Sequence, residues 1–595
     1  MTQMTLLHFL HFSATIDSMS TIQEKRHSLA HLLAQAVLTI YPEAKPTIGP
    51  ATDNGFYYDF DFGTQKVTDH DLGRIQKEMK KLLPTWDTFT TLSKTPDEAR
   101  DFFKDNQYKL ELIDGIIEKG EEITLYQSGE FIDLCRGGHV EHMNEIDLES
   151  FKLDKVAGAY WRGNEKNAML TRIYGLAFEN KEELDTYLIQ VEQAKERDHR
   201  KLGKELDLFT FSELVGPGLP LFTPKGTAIR KAIIAKIQEL QSAFDYQEVT
   251  IPHITKPDLY IKSGHWEKFR DELFHVKGME TEFVMKPMNC PHHTQIFASK
   301  ARSYKELPVR YTEAGVVYRD EQSGELIGLG RVRSITQDDG HVFCTPDQVK
   351  DEIKNIVSII KQFYELLGMM HEGNYWVSLS FSDQAEPEKY LGDPETWKKA
   401  EAALTEIAEE EKLPYKIITG EAAFYGPKID FMFKDALGRE RQLGTVQLDF
   451  NMPARFELEY TDKDGTKKTP VMIHRAIAGS LERFLAIAIE HFAGKFPFWM
   501  APVQVAIIPI GDAHQDTAKE LHTKIKKLNI RSTLLDSKDN FGKKVKRAKD
   551  ELIPYFIIIG DKDIEVSKVT LESRDEGQLG QKTTEEVVDL FTSLL

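Results

Sequence analysis

Read with the two-residue period of a strand, residues 331–341 set Arg331, Arg333, Ile335, Gln337, Asp339 and His341 on one face. Two cations, an amide, a carboxylate and an imidazole do not make an ordinary half-buried core face, so the pattern predicts the floor of a polar site. Residues 316–321 carry the same period and bring Arg319 and Glu321 to one face. The Gly-rich stretch 322–330 between the two segments predicts a hairpin that reaches over a ligand. Farther on, residues 442–450 read as a strand with Thr445 and Gln447 side by side, and residues 471–474 as a short apolar strand. A mostly apolar helix then opens at residues 478–484, where Arg483 must be paired or bound to an anion.

Helical periodicity marks residues 24–41, 181–206 and 225–244. Thr21 and Glu24 form the capping box of the first. The second is charged enough to be a solvated linker helix, closing a first domain near residue 195. The third leads into a strand at 246–252, whose terminal Pro252 cannot donate to a ladder and belongs at an edge or interface. Toward the end of the chain, apolar runs at 503–510 and 555–560 alternate with helices at 516–528 and 541–552, the pattern of a small α/β domain with a buried parallel sheet.

The 595 residues are too many for one core and imply roughly three or four domains. A formal charge of −19 argues against polyanion binding over the whole surface but leaves room for local basic patches such as Lys543, Lys544, Lys546 and Arg547. Three cysteines cannot build a disulfide framework, which points to a reducing, cytoplasmic setting. No apolar run approaches the roughly 18 residues of a membrane span. Residues 1–20 lack the basic start and cleavage site of a signal peptide and read as a disordered tail.

Two stretches could hold chemistry in the first domain. His27 and His31 stand at i and i+4 on one helix face. Residues 131–135 read as a strand with Asp133 and Cys135 on one face, and Arg136-Gly137-Gly138 turns the chain to His139. HxxxH followed by CxxxH has the spacing of a four-ligand zinc site; a single HxxxH on an amphipathic helix is more often two satisfied histidines, but the Asp and the glycines of the second half favour a polar site over chance packing. In the second domain, residues 285–293 place the Cys290 thiol in a Pro-bounded loop.

Taken in order, HSLAH, GFYYDFD, YKLELI, DLCRGGH, VAGAYWRG, KPMNCPHH, YRDEQSG, RVRSITQDDGH, FYGPKID, QLGTVQLDF and PVMIHRAIAGSLERF resemble the threonyl-tRNA synthetase family of class II aminoacyl-tRNA synthetases, from about Thr21 onward. The sequence starts without the ubiquitin-like module that often precedes the first helix in that family. The resemblance implies a multidomain α+β and α/β chain. An α+β editing domain would occupy 21–195, an antiparallel-sheet catalytic core 196–498 and an α/β anticodon-binding domain 499–595. It implies a homodimer formed through the segment of Pro252, and a zinc ion held by Cys290, His341 and His474. Threonine and ATP-Mg²⁺ would give threonyl-adenylate, and the threonyl group would pass to tRNA(Thr). Arg319 would face the α-phosphate, Arg331 the γ-phosphate, and Arg483 adenine and phosphate. Glu321, Gln442, Thr445, Gln447 and Ser480 would help hold the nucleotide.

The same resemblance turns Gln337, Asp339 and Tyr425 toward the amino acid, with zinc taking its amine and hydroxyl and Asp339 the hydroxyl proton. An apolar pocket rejects an isostere by only about 10²-fold, whereas a site that must bind the hydroxyl excludes valine, and serine still passes. Editing of seryl-tRNA would fall to His27, His31, Cys135 and His139 without a metal, helped by Asp133, Lys109 and Tyr57. Asn540, Glu565 and Arg574 are the candidate anticodon contacts. The chain departs from the family at Ile335, where an aromatic usually sandwiches adenine, and at Gly340, Gly138 and His292, where alanine, proline and glycine are usual. An alanyl or prolyl synthetase lacks this combination of ligands and C-terminal domain, and a non-catalytic RNA-binding paralogue would have no need of Arg319, Glu321, Arg331 and Arg483 together.

Overall fold

The computed structural model describes residues 20–435, 438–536 and 539–595, so nearly all of the expected N-terminal tail lies outside the described residues. Chain contacts divide it into two units, Met1–Val191 and Glu192–Leu595.

In the first unit, α1 (Ile22–Ile40) starts at the expected capping box: the Thr21 hydroxyl accepts from Glu24 N–H while the Glu24 carboxylate accepts from Thr21 N–H at 2.7 Å. Its apolar stripe, with Leu29, Leu33 and Val37 buried, packs on β1 (Gly55–Asp61), whose Phe56, Tyr58 and Phe60 share one face. A second sheet orders β2 (Thr90–Ser93), β3 (Thr124–Ser128) and β4 (Phe131–Leu134) antiparallel, with α2 (Gln107–Glu118) in the chain between the first two strands. Next come β5 (Phe151–Tyr160) and β6 (Met169–Ala177), which join β1 in the order β1-β6-β5.

The charged run at 181–206 is two helices, α3 (Lys181–Arg197) and α4 (His199–Glu205). Asp198 breaks it because its carboxylate accepts the Arg200 N–H at 2.7 Å, a cap that competes with continuation. In α4, His199 is buried; its Nδ1 lies 2.7 Å from Glu490, and its Nε2 accepts the Leu329 N–H at 3.2 Å.

The second unit is built on an eight-stranded sheet, β7-β8-β9-β14-β13-β12-β10-β11. Its strands are β7 (Gln247–Glu248), β8 (Val309–Tyr318), β9 (Ser334–Cys344), β10 (Tyr375–Phe381), β11 (Tyr415–Thr419), β12 (Lys428–Lys434), β13 (Glu440–Asp449) and β14 (Val471–Ser480). The six inner strands are antiparallel, and only the edge strands β7 and β11 pair parallel with their neighbours. The strand expected at 246–252 is cut to β7 at the edge of the sheet, and Pro252 lies beyond it, outside the ladder. Among the helices of this part are α5 (Pro224–Ser242), α6 (Cys290–Ala298), α7 (Val349–Leu366) and α8 (Leu481–Phe492), with α5, α7 and α8 contributing to one large core.

Four expected boundaries move. The strand of 331–341 begins only at Ser334, because Arg331 N–H goes to Ile327 O and Arg333 N–H to Gly218 O, bonds made in the loop and not in the ladder. Its partner starts earlier, at Val309, and ends at Tyr318, which leaves Arg319 and Glu321 beyond the strand. Cys290 is not in a loop but in the first turn of α6, where Pro291 is preorganised to start a helix. The apolar strand of 471–474 continues to Ser480, and α8 opens after it with the Ser480 hydroxyl accepting Arg483 N–H at 3.3 Å.

Gly340 also finds a cause. A Cβ there would lie 2.4 Å from the guanidinium of Arg475, which is fully buried and donates to Asp338 O at 2.6 Å and Thr312 Oγ1 at 2.7 Å.

The final part carries the sheet β16-β15-β17-β18-β19. Its elements are β15 (Val505–Pro509), α9 (Gln515–Lys527), β16 (Ser532–Leu534), α10 (Phe541–Asp550), β17 (Tyr555–Ile559), α11 (Asp561–Glu565), β18 (Val569–Ser573), β19 (Gly577–Lys582) and α12 (Thr584–Ser593). The first three strands in sheet order are parallel, with the apolar runs of β15 and β17 side by side as expected and the short, half-buried β16 at the edge, and β18 and β19 add an antiparallel edge.

Candidate functional site

Strands β9, β13 and β14 converge on a buried group of donors in the second unit. Cys290, His341 and His474 each offer one ligand atom, and these atoms all lie within 4.8 Å of one another. The sulfur comes from the first turn of α6, and the imidazoles come from positions that face each other across the β9/β14 ladder. His341 Nε2 and His474 Nδ1 are 3.1 Å apart, while the outward His474 Nε2 meets the Asp449 carboxylate at 3.0 Å. Asp449 is itself held by the N–H groups of Asn451 and Met452, both at 2.8 Å. Burial, with Asp339 and Asp449 nearby, pushes the Cys290 thiol well up, so the thiolate needs a cation beside it. One thiol and two imidazoles, one of them backed by a carboxylate, fit a zinc ion with a coordination position to spare.

Asp339 lies on the same face as His341, with Oδ1 3.7 Å from His341 Nε2, and accepts from the fully buried Asn289 amide at 3.0 Å. The Tyr425 ring stacks on His474 at 5.2 Å, and its hydroxyl donates to Gln447 at 2.6 Å. Burial, Cys290 and the carboxylates around it keep that phenol protonated, hence a donor. Gln447 in turn donates to Thr445 at 3.2 Å. Asp430 closes the row on β12, accepting from Thr445 at 2.6 Å and from Gln442 and Lys428 at 2.7 Å each.

Beyond this floor lie the arginines. Arg331 pairs with Glu321 at 2.6 Å and with Glu325 at 3.0 Å, and Arg333 donates to the Glu321 carbonyl at 2.8 Å. Arg483 donates to Gly330 O at 3.2 Å. Burial first, then repulsion from Arg441, Arg331 and Arg319, lowers Arg483 from the usual guanidinium range. Such a concentration of cations suits a polyphosphate. Gln337 sits half-buried on β9 in register with Gly315 of β8 and Ser480 of β14, and Ile335 is paired with Val317.

The other group belongs to the first unit. His27, His31, Cys135 and His139 also offer ligand atoms within 4.8 Å of one another. Cys135 Sγ is 3.5 Å from His27 Nε2 and 3.3 Å from His139 Nε2. His139 stacks between the ring of His27 at 4.3 Å and that of Phe89 at 3.9 Å. Burial lowers all three imidazoles, His31 the most deeply buried of them, and raises the thiol to about 11, so all four are neutral near pH 7. A cavity of about 400 Å³ opens here, lined by His27, His31, Lys109, Asp133, Cys135 and Arg136 among others.

Asp133 pairs with Lys109 and accepts from the hydroxyl of Tyr58, which also takes a hydrogen bond from Lys109 at 3.3 Å. Tyr57, the residue expected here, is on the other face of β1, with the Arg172 guanidinium 3.8 Å from its ring centroid. A one-residue step along a strand reverses the face, and Tyr58 is the residue that reaches the cluster. Gly138, where the family carries proline, has φ +81° and gives its carbonyl to His27 Nδ1 at 3.2 Å. Proline, fixed near φ −65°, could not hold that turn.

A third group, Asp198, His199 and Glu490, also has ligand spacing. Both nitrogens of His199 already have partners, so it is structural. Of the expected anticodon contacts, Asn540 caps α10 through Lys543 N–H at 3.0 Å, and Glu565 is exposed. Arg574 is corrected: its guanidinium goes to Asp575 and to the carbonyls of Leu552, Phe496 and Lys495, a clamp within the protein and not an outward-facing reader.

An antiparallel sheet between helices, with an arginine-lined floor, a motif hairpin and a helix capped by the last central strand, defines the core of a class II aminoacyl-tRNA synthetase. Sequence comparison agrees: residues 274–492 match the tRNA synthetase class II core domain (G, H, P, S and T), 504–594 an anticodon binding domain, and 123–174 the threonyl and alanyl tRNA synthetase second additional domain. The chain belongs to the threonine–tRNA ligase family. It is 47% identical over 566 residues to the threonine–tRNA ligase of Gloeobacter violaceus, covering 94% of this chain and 90% of that one. With the Bacteroides thetaiotaomicron ligase it shares 47% over 570 residues, covering 95% and 87%. A crystal structure titled as the RNA binding domain of threonyl-tRNA synthetase from Cryptosporidium parvum superposes with a TM-score of 0.63 at 36% identity, covering 67% of this chain and 98% of that one. Among the described residues no helix is long and apolar enough to cross a membrane.

Sequence reasoning missed Tyr58, Asn289, His293, Glu313, Asp430 and Asp449. The two-residue period could have found Asp449, two past Gln447, and Asp430, two past Lys428. Asn289 and Glu313 carried no such signal, because their partners come from other elements.

Proposed function

We propose that this chain, a threonine–tRNA ligase by family, activates threonine as its adenylate with ATP-Mg²⁺ and transfers it to tRNA(Thr), discriminating against valine with a zinc ion and against serine by hydrolysis. The observation that carries the first part is Asp339 standing 3.7 Å from His341, one of the three residues of the Cys290/His341/His474 group. A zinc ion bound there would supply a Lewis-acid position for the amine and hydroxyl of the amino acid. Asp339, held in place by Asn289, accepts the hydroxyl proton. Tyr425 and Gln447 line the amino-acid side, with Gln337 across from them on β9. Arg319, Arg331 and Arg483 neutralise phosphate charge that grows as pyrophosphate leaves, and Glu321 and Glu325 yield Arg331 to the nucleotide. Gln442, Thr445 and Ser480 frame the nucleotide end. Amino-acid-dependent ATP–pyrophosphate exchange tests this: exchange with threonine and none with alanine or proline supports it, and silence with all three removes it in favour of a non-catalytic paralogue. The edge segment before Pro252 forms a homodimer in this reading, and the cytoplasm is its place of work.

The editing half rests on the neutral cluster of His27, His31, Cys135 and His139, the first three of which line the first unit's cavity. Burial keeps all three imidazoles unprotonated near pH 7 and able to take a proton from water, which supports hydrolysis by water activated on imidazole, and the metal-free reading follows the family resemblance. Metal analysis of the purified chain should give one zinc, lost on Cys290→Ala and kept on His31→Ala. Two zinc ions per chain, one of them lost on His31→Ala, would reverse the metal-free reading.

A further inference from the structure

Behind His341 the structure holds a second, fully buried layer. His293, in the first helical turn after Cys290, has no exposed surface, and its Nδ1 lies 2.8 Å from His341 Nδ1. Of two imidazole nitrogens at that distance, one carries the hydrogen and the other accepts it. His341 Nε2 faces His474 at 3.1 Å and so is the nitrogen turned toward the metal group. A nitrogen that gives its lone pair to a cation leaves the ring proton on the other, so His341 Nδ1–H is the donor and His293 Nδ1 the acceptor. His293 then carries its own proton on Nε2.

That Nε2 has a destination. It points at Glu313 Oε2, 3.8 Å away, and Lys286 Nζ stands 3.8 Å from the same carboxylate oxygen. All three atoms are buried with no hydrogen-bond partner in the present geometry. Two orphaned donors aimed at one orphaned acceptor are an unfinished network, and a closure of about 1 Å would complete it. The other oxygen of Glu313 is pinned by the Ile251 N–H at 3.1 Å. The carboxylate is therefore fixed in position by the backbone just before Pro252.

We propose that His293, oriented by Glu313, is a positioning residue that sets the tautomer and ring angle of His341 and so the strength with which the Cys290/His341/His474 group holds its metal. The series Glu313, His293, His341 does for one imidazole what Asp449 alone does for His474. The inference rests on the zinc assignment proposed above.

The test measures metal, not aminoacylation. In a Cys135→Ser background, so that the first unit's tetrad cannot contribute, zinc affinity is read by competition with a chelator of known affinity, and ligand geometry by the visible absorption of the Co²⁺ form. His293→Leu is expected to weaken zinc binding by about 10- to 100-fold, the usual cost of losing such a partner, and to change the cobalt spectrum. His293→Asn, whose amide oxygen takes the place of Nδ1, should recover the affinity to within several-fold. Glu313→Gln, which keeps the shape but not the charge, should weaken it several-fold. A folded His293→Leu chain binding zinc within twofold of its parent overturns the proposal, as does His293→Asn binding no better than His293→Leu. If His293→Leu does not fold, Glu313→Gln decides, and parental affinity there overturns it. A parent without a Cys290-dependent zinc refutes the metal assignment, and with it the relay; a parent with that zinc and an indifferent His293→Leu refutes the relay alone.

Discussion

His474→Ala should lower threonine-dependent ATP–pyrophosphate exchange by about 10³-fold or more, equivalent to about 4 kcal/mol of transition-state stabilisation. The loss has three parts. On the zinc reading proposed above one of three ligands goes, and a site left with Cys290 and His341 would not keep a cation in a buried pocket at ordinary concentrations. Asp449, fully buried, loses its imidazole partner and retains only two backbone N–H groups. The Tyr425 ring loses the surface it stacks on, and with it the alignment of the hydroxyl that donates to Gln447. The stability cost of the orphaned carboxylate is about 1–3 kcal/mol, within what a domain of this kind survives. A thermal melt should therefore show a lowered but cooperative transition. Exchange within tenfold of the wild type would sink the assignment of His474, and with it the zinc reading.

The second large effect belongs to the other unit. His31→Ala should leave threonine activation unchanged and slow deacylation of seryl-tRNA(Thr) by about 10²- to 10⁴-fold, the range of a lost general base. His31 is the most buried of the three imidazoles, with Asp133 3.9 Å from its Nδ1. Its pKa lies well below the ordinary value, through burial and then the charges of His27 and Lys109. A base with a lowered pKa stays unprotonated as pH falls, so deacylation by the intact chain should stay level from pH 8 to pH 6 and drop only in more acid solution. A decline centred near the ordinary imidazole value, about 6.5, would show that a different and unshifted group is the base. Wild-type deacylation by the His31→Ala chain would refute the editing assignment outright.

Much of the site could be read along the chain because strand periodicity reports which residues share a face. Gln337, Asp339 and His341 do lie together, and Thr445 with Gln447. The same rule failed for Arg331 and Arg333, whose backbone donors are drawn off by Ile327 and Gly218 before the ladder begins, a long-range choice that no local pattern encodes. It also failed by one step at Tyr57, where two adjacent tyrosines give identical local signals and only the packing of α1 on β1 decides which is inside. The Cys290/His341/His474 group was invisible to spacing for a related reason. Cys290, His341 and His474 come from a helix and two strands separated by long insertions, and only resemblance joined them. Arg574 shows the converse, since an arginine in a nucleic-acid-binding module invites a phosphate or base contact, and here four internal acceptors consume its donors.

His199 sets where this protein can be cut. A catalytic fragment begun just after the charged run 181–206, on the reading of that run as a linker, would discard α4. That fragment would leave Glu490 near the end of α8 without its imidazole and the Leu329 N–H, in the loop that carries Arg331, without an acceptor. The loop that carries Arg331 would then hang from fewer anchors, and, with Arg331 read as a phosphate contact, the fragment's ATP affinity would fall although none of the proposed ATP contacts had been removed. A fragment begun at Asp198, with its own helix cap, keeps both bonds.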